Sequence, residues 1–274
     1  MTRPPQYPGR RSRRIAVLAA VLAGLLLVVG CSGGGDAAPA PSAAAVVRQA
    51  FVTTRDAGTA RATVAARTGL AGQDVTVNGN GVLDLRSGST DVTLDLPTFG
   101  GTVHVLYVGG TVYAALPAAF AVLVGRGKPW ISIPLDRLGG SAAGSFAALG
   151  GLSGNPAQQL GYLQGVRDDA RVIGPEPVDG TPTTHYAGVI DLDRTPAAAD
   201  PATRPQVDQL KGRLGGSTVP VDVWVDGQGR LRRVTESPAG SSTTVTFSDF
   251  GVPVSVAAPP ADQVADASRF LPAG

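Results

Sequence analysis

The sequence predicts an α+β domain built on a single antiparallel β-sheet that is apolar on one face and covered there by a few α-helices. Apolar and polar residues alternate with a period of two through much of the chain after Gly58, as expected of half-buried strands. Short glycine turns, Gly109-Gly110 and Gly227-Gln228-Gly229, separate such stretches and predict hairpins. Because a one-faced sheet must bury its apolar side, we expect the few helical stretches to cover it.

The first of these helices is predicted between Ser42 and Gly58. Ser42 is a suitable N-cap, and Asp56-Ala57-Gly58 ends the pattern. Between them, residues recur at the i, i+3, i+4, i+7 spacing of one helix face: Val47, Ala50, Phe51 and Thr54.

The first half of the predicted sheet is a meander of consecutive strands. Between Asp74 and Arg86 one face carries apolar residues or glycine, namely Val75, Val77, Gly79, Gly81, Leu83 and Leu85. Further strands are predicted at Val92, Leu94 and Leu96, over Thr102 to Val108, over Thr111 to Leu116 and over Trp130 to Leu135.

Helices and strands alternate in the second half. A cap residue followed by proline predicts two helices, Asn155-Pro156 ahead of Leu160 and Leu163, and Asp200-Pro201 ahead of Val207, Leu210 and Leu214. The predicted strands are Ala170 to Glu176, Thr181 to Leu192, Val219 to Val225, Arg230 to Glu236 and Thr243 to Phe250. A last helical turn is predicted over Asp262 to Ala267.

Residues 1–30 have the parts of a secretory signal. A basic cluster from Arg10 to Arg14 precedes an uncharged apolar stretch from Ile15 to Val29. That stretch has 15 residues, fewer than the roughly 18 expected of a membrane-spanning helix. The chain's single cysteine, Cys31, directly follows Gly30, so that Val28-Val29-Gly30-Cys31 resembles a bacterial lipobox.

This resemblance implies cleavage between Gly30 and Cys31 and two or three acyl chains on Cys31. Such chains hold a protein stably on a bilayer, because each buried methylene contributes about 0.8 kcal/mol. The alternatives are a plain cleaved signal and an uncleaved anchor. Residues 31–43 are predicted to form the lipidated, flexible tether, which keeps the domain of residues 44–274 near the extracytoplasmic face of the cell membrane.

The charge of the expected mature chain argues against nucleic acid as a partner. Five of the 23 Lys and Arg residues precede position 31, and the remaining 18 stand against 21 Asp and Glu residues, a net charge of −3. With Cys31 acylated no disulfide can form, so the domain needs a substantial hydrophobic core.

Three further stretches carry a family resemblance. They are Val178 to Tyr186 leading to Ile190-Asp191-Leu192, Pro220 to Asp226 leading to Arg232-Arg233-Val234, and Phe247 to Gly251 followed by Ala258-Pro259-Pro260. Together with the lipobox and the order of helices and strands, they resemble the actinobacterial LppX/LprG lipoprotein family over roughly Ala45 to Ala267.

The resemblance implies a LolA/LolB-like fold, a half-barrel in which one strongly curved antiparallel sheet wraps around the helices and can enclose an apolar cavity. It also implies a function, because mycobacterial members are associated with carrying acylated glycolipids or long-chain lipids toward the outer envelope. The motifs themselves are structural rather than catalytic.

The cavity and its rim are assigned to apolar residues on uncharged stretches, on the predicted helices and on two strands. The candidates are Phe120, Leu123, Trp130, Phe146, Leu149, Leu160, Leu163 and Trp224. A buried helix or a ligand-free loop would explain the same pattern, and an aromatic residue on a strand is more often part of the core.

Catalytic and metal sites find little support. Gly139-Gly140-Ser141-Ala142-Ala143 lacks the last glycine of a nucleophile elbow. His104 and His185 each stand without a second ligand at metal-binding spacing. We therefore expect neither an enzyme nor a cofactor; a hydrolase would need a Ser/His/Asp cluster at one of these histidines.

We expect an envelope lipoprotein that binds or carries a lipid or glycolipid in an apolar cavity between sheet and helices. The alternative is an envelope sensor or scaffold whose domain binds a protein partner. An interior void of several hundred cubic ångströms would favour the lipid. A filled interior with an exposed apolar patch would favour the protein partner.

Overall fold

A computed structural model describes residues 40–70, 73–96, 101–115, 117, 121–122, 125–134, 156–201, 203–238 and 240–267. The helices are α1 Ala43–Asp56, α2 Pro156–Gly161, α3 Pro196–Ala199 and α4 Arg204–Leu214, with 3-10 turns at Tyr162–Gly165, Leu192–Arg194 and Ala261–Gln263. The strands are β1 Thr59–Leu70, β2 Gln73–Asp84, β3 Thr90–Leu96, β4 Gly101–Val108, β5 Thr111–Ala115, β6 Trp130–Pro134, β7 Arg171–Pro175, β8 Thr183–Asp191, β9 Thr218–Asp226, β10 Leu231–Glu236, β11 Ser241–Ser248 and β12 Val264–Asp266.

All twelve of these strands belong to one open sheet in the order β12-β6-β5-β4-β3-β2-β1-β11-β10-β9-β8-β7. Strands β1 to β6 form a meander on one side of β1, and β7 to β11 form a second series that returns to β1 through β11. Every neighbouring pair is antiparallel except β12 and β6. The predicted α+β class with a single, mainly antiparallel sheet is therefore confirmed.

Helix α1 begins and ends where its capping residues predict. The Ser42 hydroxyl accepts a hydrogen bond from the backbone N–H of Ala45 at 3.2 Å. At the other end Gly58 has a φ of 88°, in the left-handed region that favours glycine. The Arg86 guanidinium donates to the carbonyl of Asp56 at 2.6 Å and so satisfies one of the last carbonyls of the helix.

The sheet has an inner face, which α1 covers in part, and a polar face on the opposite side. Cross-strand register places Phe247, Ala62, Gly81, Val92 and Val105 in one row of the inner face. Gly81 is required there, because a Cβ atom would lie 2.1 Å from the carbonyl oxygen of Asp91. The neighbouring row of the polar face carries Thr246, Thr63, Asn80, Thr93 and His104.

The inner face carries two separate main apolar clusters. The helix cluster joins the apolar side of α1, Leu160 and Leu163 to the inner residues of β8 to β11, such as Val223 and Phe247. The strand cluster lies on β1 to β5 and consists of Ala66, Val77, Val92, Leu94, Val105, Tyr107 and Val112. Among the described residues, the further apolar side chains packed against the strand cluster are also on strands, Val75 and Val103.

Three details differ from the sequence-based predictions. Strand β1, which pairs with β2 over its whole length, was not assigned as a strand. Helix α4 starts at Arg204 rather than after Asp200, because the Asp200 carbonyl instead closes turns with the N–H groups of Thr203 and Arg204. The predicted last helical turn is found only at its start, where the 3-10 turn includes Asp262 and Gln263; beyond it the chain extends as β12 and pairs in parallel with β6.

None of the helices among the described residues combines the length and apolar composition needed to cross a membrane.

Thr54 provides a specific link between α1 and the sheet. Its side chain is fully buried, and its hydroxyl donates to the carbonyl of Ala50 at 2.7 Å while accepting from the N–H of Leu231 on β10 at 2.8 Å. The bond across to β10 fixes the last turn of α1 on the helix cluster.

Replacing this hydroxyl by a methyl group is expected to destabilise the protein. Thr54→Val keeps the shape but leaves the buried N–H of Leu231 without an acceptor, which should lower the free energy of unfolding by about 1–3 kcal/mol. Thr53→Val is the control, because the Thr53 hydroxyl bonds only to the carbonyl of Gln49 at an exposed position. Equal unfolding free energies for the two variants, measured with urea, would contradict the assigned role.

Candidate functional site

Six of the predicted site residues lie outside the residues that the structure describes. They are Gly30, Cys31, Phe120, Leu123, Phe146 and Leu149. The lipid attachment and this part of the rim therefore stay predictions.

Leu160 and Leu163 belong to the helix cluster. Leu160 is on α2, and Leu163 is on the 3-10 turn that continues it and packs against α1. Leu163 is fully buried, so it forms part of the core. Gly165 lets this turn approach β8, because a Cβ atom there would lie 2.5 Å from the carbonyl oxygen of Asp191.

A small void separates α2 from the inner face. Its volume is about 40 Å³, enough for water but well below the roughly 300–1,000 Å³ of ligand pockets. The side chains around it come from β2, α2, β10 and β11: Leu83, Gln159, Leu160, Val234, Glu236, Thr243, Val245 and Phe247.

Glu236 is the ionisable residue of this lining. Register places it on the inner face between Val221 and Thr243, in phase with Val234. Within the described residues its carboxyl has no hydrogen-bond or ion-pair partner, and burial raises its pKa to about 7. Sequence analysis did not single it out, although the alternation of β10 already places Glu236 on the same face as Val234.

Glu236 also marks the boundary between the two apolar clusters. The cross-strand row that contains it runs Val221, Glu236, Thr243, Ala66 and Val77. Val221 belongs to the helix cluster, whereas Ala66 and Val77 belong to the strand cluster. The Glu236–Thr243 pair is therefore a polar site between two apolar surfaces, which we call the Glu236–Thr243 step.

Trp130 and Trp224 do not face the helices. Register places Trp224 opposite His185 and Arg233, and Trp130 opposite Ala115, all on the polar face. The inner positions of these strands are taken by their neighbours, which alternate with them. Both tryptophans are thus removed from a cavity between sheet and helices, because strand alternation points them the other way.

Each tryptophan instead accompanies a histidine. His185 stacks on Trp224 with ring centroids 4.2 Å apart, and its Nδ1 and Nε2 atoms lie 2.9 Å and 2.8 Å from carboxylate oxygens of Glu176 and Asp222. His104 contacts Trp130 edge-on at 5.3 Å and lies 2.6 Å from Asp91.

These histidine contacts show neither a nucleophile nor a metal site. The polar and ring contacts of the two histidines that the structure describes are to carboxylates and tryptophans, and none of them is to a serine or threonine hydroxyl. No group of three or more His, Cys, Asp or Glu side chains suited to a metal ion occurs among the described residues.

A groove of about 460 Å³ lies on the polar face of β11 and β1 to β4. Its side chains are mainly hydroxyls and amides, such as Thr63, Asn78, Asn80 and Thr246, and its one ionisable residue is Asp95. Its lining combines these polar groups with a larger area of apolar surface, on the face of the sheet opposite α1.

Comparisons with known proteins find sequence relatives but no matching family model. The chain is 32% identical to an uncharacterized 31.2 kDa protein of Streptomyces griseus over 190 residues, which are 64% of this chain and 59% of that protein. It is 27% identical to the lipoarabinomannan carrier protein LprG of Mycobacterium tuberculosis over 269 residues, which are 92% of this chain and 98% of LprG.

The structure is similar to the crystal structure of the lipoprotein LppX of Mycobacterium tuberculosis. The TM-score is 0.50 at 17% identity, and the alignment covers 78% of this chain and 98% of LppX. This likeness shows the fold, one open sheet of mainly antiparallel strands with a few helices.

The raised pKa of Glu236 predicts how stability depends on pH. Between the ordinary pKa of 4.5 and about 7, the unfolded chain loses this proton while the folded chain retains it, so stability falls as pH rises through that window. The contribution is about 3 kcal/mol across the window.

Glu236→Gln should remove this dependence, because the amide does not titrate. Urea unfolding at about pH 5 and about pH 8 should show a smaller loss of stability with pH in the variant than in the native protein, by up to about 3 kcal/mol. The control is Glu176→Gln, which changes the chain's other glutamate, an exposed one. Identical pH profiles for native and Glu236→Gln protein would contradict the raised pKa.

Proposed function

We propose, from the confirmed resemblance of this chain to the actinobacterial LppX/LprG lipoprotein family, that it is a membrane-anchored envelope lipoprotein that binds or carries a lipid or glycolipid. The relative LprG is named a carrier of lipoarabinomannan. The ligand class proposed for this chain is broader, a molecule with one or more acyl chains and a polar part.

The observation that carries this proposal is the apolar strand cluster on the inner face. It continues the apolar surface of the sheet past the part that α1 covers. Its residues are buried, so an acyl chain would bind there by taking the place of the groups that now exclude water, and each buried methylene contributes about 0.8 kcal/mol. Burial of a chain with ten or more methylenes is therefore sufficient for stable binding without any covalent step.

The proposed mechanism is passive. No catalytic pair accompanies the apolar surface among the described residues, and its polar neighbours are Glu236 and Thr243. The acyl chains would lie on the apolar residues, and the polar part of the ligand would remain at the edge of the cavity, where water is accessible. Phe120, Leu123, Phe146 and Leu149 remain proposed contributors to that rim.

Anchoring is proposed to occur through acylated Cys31 on the extracytoplasmic face of the cell membrane. The tether from Cys31 to the N-cap Ser42 is at most about 40 Å long when fully extended. A domain held at this distance could exchange an acylated ligand directly with the bilayer surface.

A protein partner is the second candidate, and one observation favours it. Strand β7 is an edge of the sheet, and its Val172 and Ile173 are 59% and 57% exposed. Exposed apolar residues on an open edge are typical of a surface where another chain adds a strand. The small volume of the void beside α2 agrees with this candidate as well.

The lipid proposal predicts a co-purifying ligand. The test protein carries Cys31→Ser and a cleaved secretory signal in place of residues 1–30, so that no covalent acyl chain is mistaken for cargo. Native mass spectrometry of this protein, purified from its own cell envelope, should show a bound lipid in stoichiometric amount. Protein that is repeatedly empty and takes up no added lipid would contradict the proposal.

Ala66→Phe should reduce that lipid at least tenfold. Ala66 lies in the strand cluster and is almost fully buried, so a phenyl ring would occupy the surface proposed for the acyl chain. Its neighbour Ala65 is exposed on the polar face of the same strand, and Ala65→Phe is the matched control. Equal lipid content in the two variants, both with cooperative thermal unfolding, would place the ligand elsewhere.

The second candidate function predicts the loss of a bound protein rather than of a bound lipid. Val172→Lys combined with Ile173→Lys should abolish co-purification of any protein that pairs with β7, because two charges would face the added strand. The lipid content of this variant should equal that of the native protein. A complex that survives both substitutions would exclude β7 as its docking edge.

A further inference from the structure

The carboxyl of Glu236 has no partner among the described residues, and its place on the inner apolar face needs a physical explanation. Glu236 occupies a position where its cross-strand neighbour Val221 and its in-phase neighbour Val234 are apolar and buried. A carboxyl placed there without a partner lowers stability, and a leucine or valine would serve the packing better. Glu236 is half-buried, and a carboxyl with a perturbed pKa on an apolar surface is typical of ligand sites.

The surroundings of Glu236 favour its neutral form. Its neighbours come from β2, β9, β10, β11 and α2, and those that the structure describes contain no cation and no second carboxyl. The polar groups among them are the amide of Gln159 and the hydroxyl of Thr243. Burial raises the pKa of the Glu236 carboxyl to about 7, so it carries a proton at mildly acidic pH.

A neutral carboxyl combines one O–H donor with a carbonyl acceptor. Ester groups accept hydrogen bonds, and hydroxyl groups both donate and accept them. These are the groups that join acyl chains to the polar part of glycerolipids and glycolipids. The void beside Glu236, about 40 Å³, is large enough for one such oxygen but not for a chain.

The position of Glu236 fits such a contact. It is followed along its cross-strand row by Thr243 and then by Ala66 and Val77 of the strand cluster. A ligand with its acyl chain on the strand cluster would bring the first polar atoms beyond the chain to the Glu236–Thr243 step.

We propose that Glu236 is the polar contact for an acylated ligand on the inner face, where its neutral carboxyl donates a hydrogen bond to an ester or hydroxyl oxygen of that ligand. This inference rests on the proposed function and deepens it. In this inference the ligand's acyl chains lie on the strand cluster. The first polar atoms beyond the chains lie beside Glu236, at the end of β10.

The proposal has a defined pH dependence. An ionised carboxyl has no proton to donate and is poorly solvated beside Leu83, Leu160 and Phe247. Affinity should therefore be constant below about pH 6 and fall, at most tenfold per pH unit, above about pH 7. A ligand held instead by an ammonium group would bind more tightly as pH rises.

The test compares two probes, a pyrene-labelled diacylglycerol and a pyrene-labelled alkane of matched length. They are titrated against the Cys31→Ser protein, which retains the whole compact unit from Ala40 to Gly274. The variants are Glu236→Gln, Glu236→Leu and the control Glu176→Gln, in which the glutamate beside His185 is changed.

The native protein and the control should lose diacylglycerol affinity above about pH 7. Glu236→Gln should keep the low-pH affinity within about threefold at every pH, because its amide still donates a hydrogen bond but does not titrate. Glu236→Leu should bind diacylglycerol about two- to tenfold more weakly at every pH, the loss of one net hydrogen bond, and bind the alkane at least as well as the native protein.

Three results would overturn the inference while leaving the proposed function intact. The native protein could bind the alkane and show a diacylglycerol affinity that does not change with pH. Glu236→Leu could bind diacylglycerol as tightly as the native protein at low pH, or the native protein's diacylglycerol affinity could rise with pH. Native protein that binds neither probe at any pH would overturn the proposed function and the inference together. Because Glu236→Leu replaces a half-buried carboxyl on an apolar face by an apolar side chain of similar size, it should fold at least as stably as the native protein.

Discussion

A twelve-stranded open sheet with one apolar face is stable only if that face is kept from water, and the rest of the molecule follows from this requirement. Helix α1 keeps one part of the apolar face from water, because its Val47, Ala50 and Phe51 pack in the helix cluster. Hydrogen bonds at its C-terminal end, from the guanidinium of Arg86 and through the hydroxyl of Thr54, hold the helix in register with β2 and β10. The capping residues therefore position the core as well as ending the helix.

The two main clusters of the inner face have different apolar neighbours among the described residues. The helix cluster brings together residues of several helices and of both series of strands, as in the core of an ordinary domain. The strand cluster consists of buried residues of β1 to β5, and the partly buried apolar residues packed against it, within the described part of the chain, are also on strands. In the proposed function, the first cluster maintains the fold and the second supplies the apolar surface for an acyl chain.

Much of the fold could be predicted from sequence because its signals are local. The cap at Ser42, the period-two alternation from Val92 to Leu96 and the turn at Val178-Asp179-Gly180, where Asp179 and Gly180 adopt positive φ, each depend on a few neighbouring residues. Strand β1 was missed because its inner face is mostly alanine, which carries a weak strand signal, although Ala60, Ala62, Val64 and Ala66 alternate with Arg61, Thr63, Ala65 and Arg67. Strand β12 was missed because its partner β6 is distant in the chain.

The site was less predictable, because which face a side chain occupies depends on register and not on residue type. Trp130 and Trp224 were assigned to a cavity for being large and apolar, yet both alternate onto the polar face beside histidines. Glu236 was passed over for being charged, yet it alternates onto the inner face. A carrier has to release its ligand as well as bind it, and apolar burial alone becomes stronger with every methylene. A single hydrogen bond donated by a carboxyl whose pKa is about 7 adds only a modest contribution, and loss of the proton removes that contribution. In the proposed function, a glutamate without a partner among the described residues therefore costs some stability of the fold at the boundary of the two clusters, and in return makes binding reversible by a change that leaves the apolar surface unaltered.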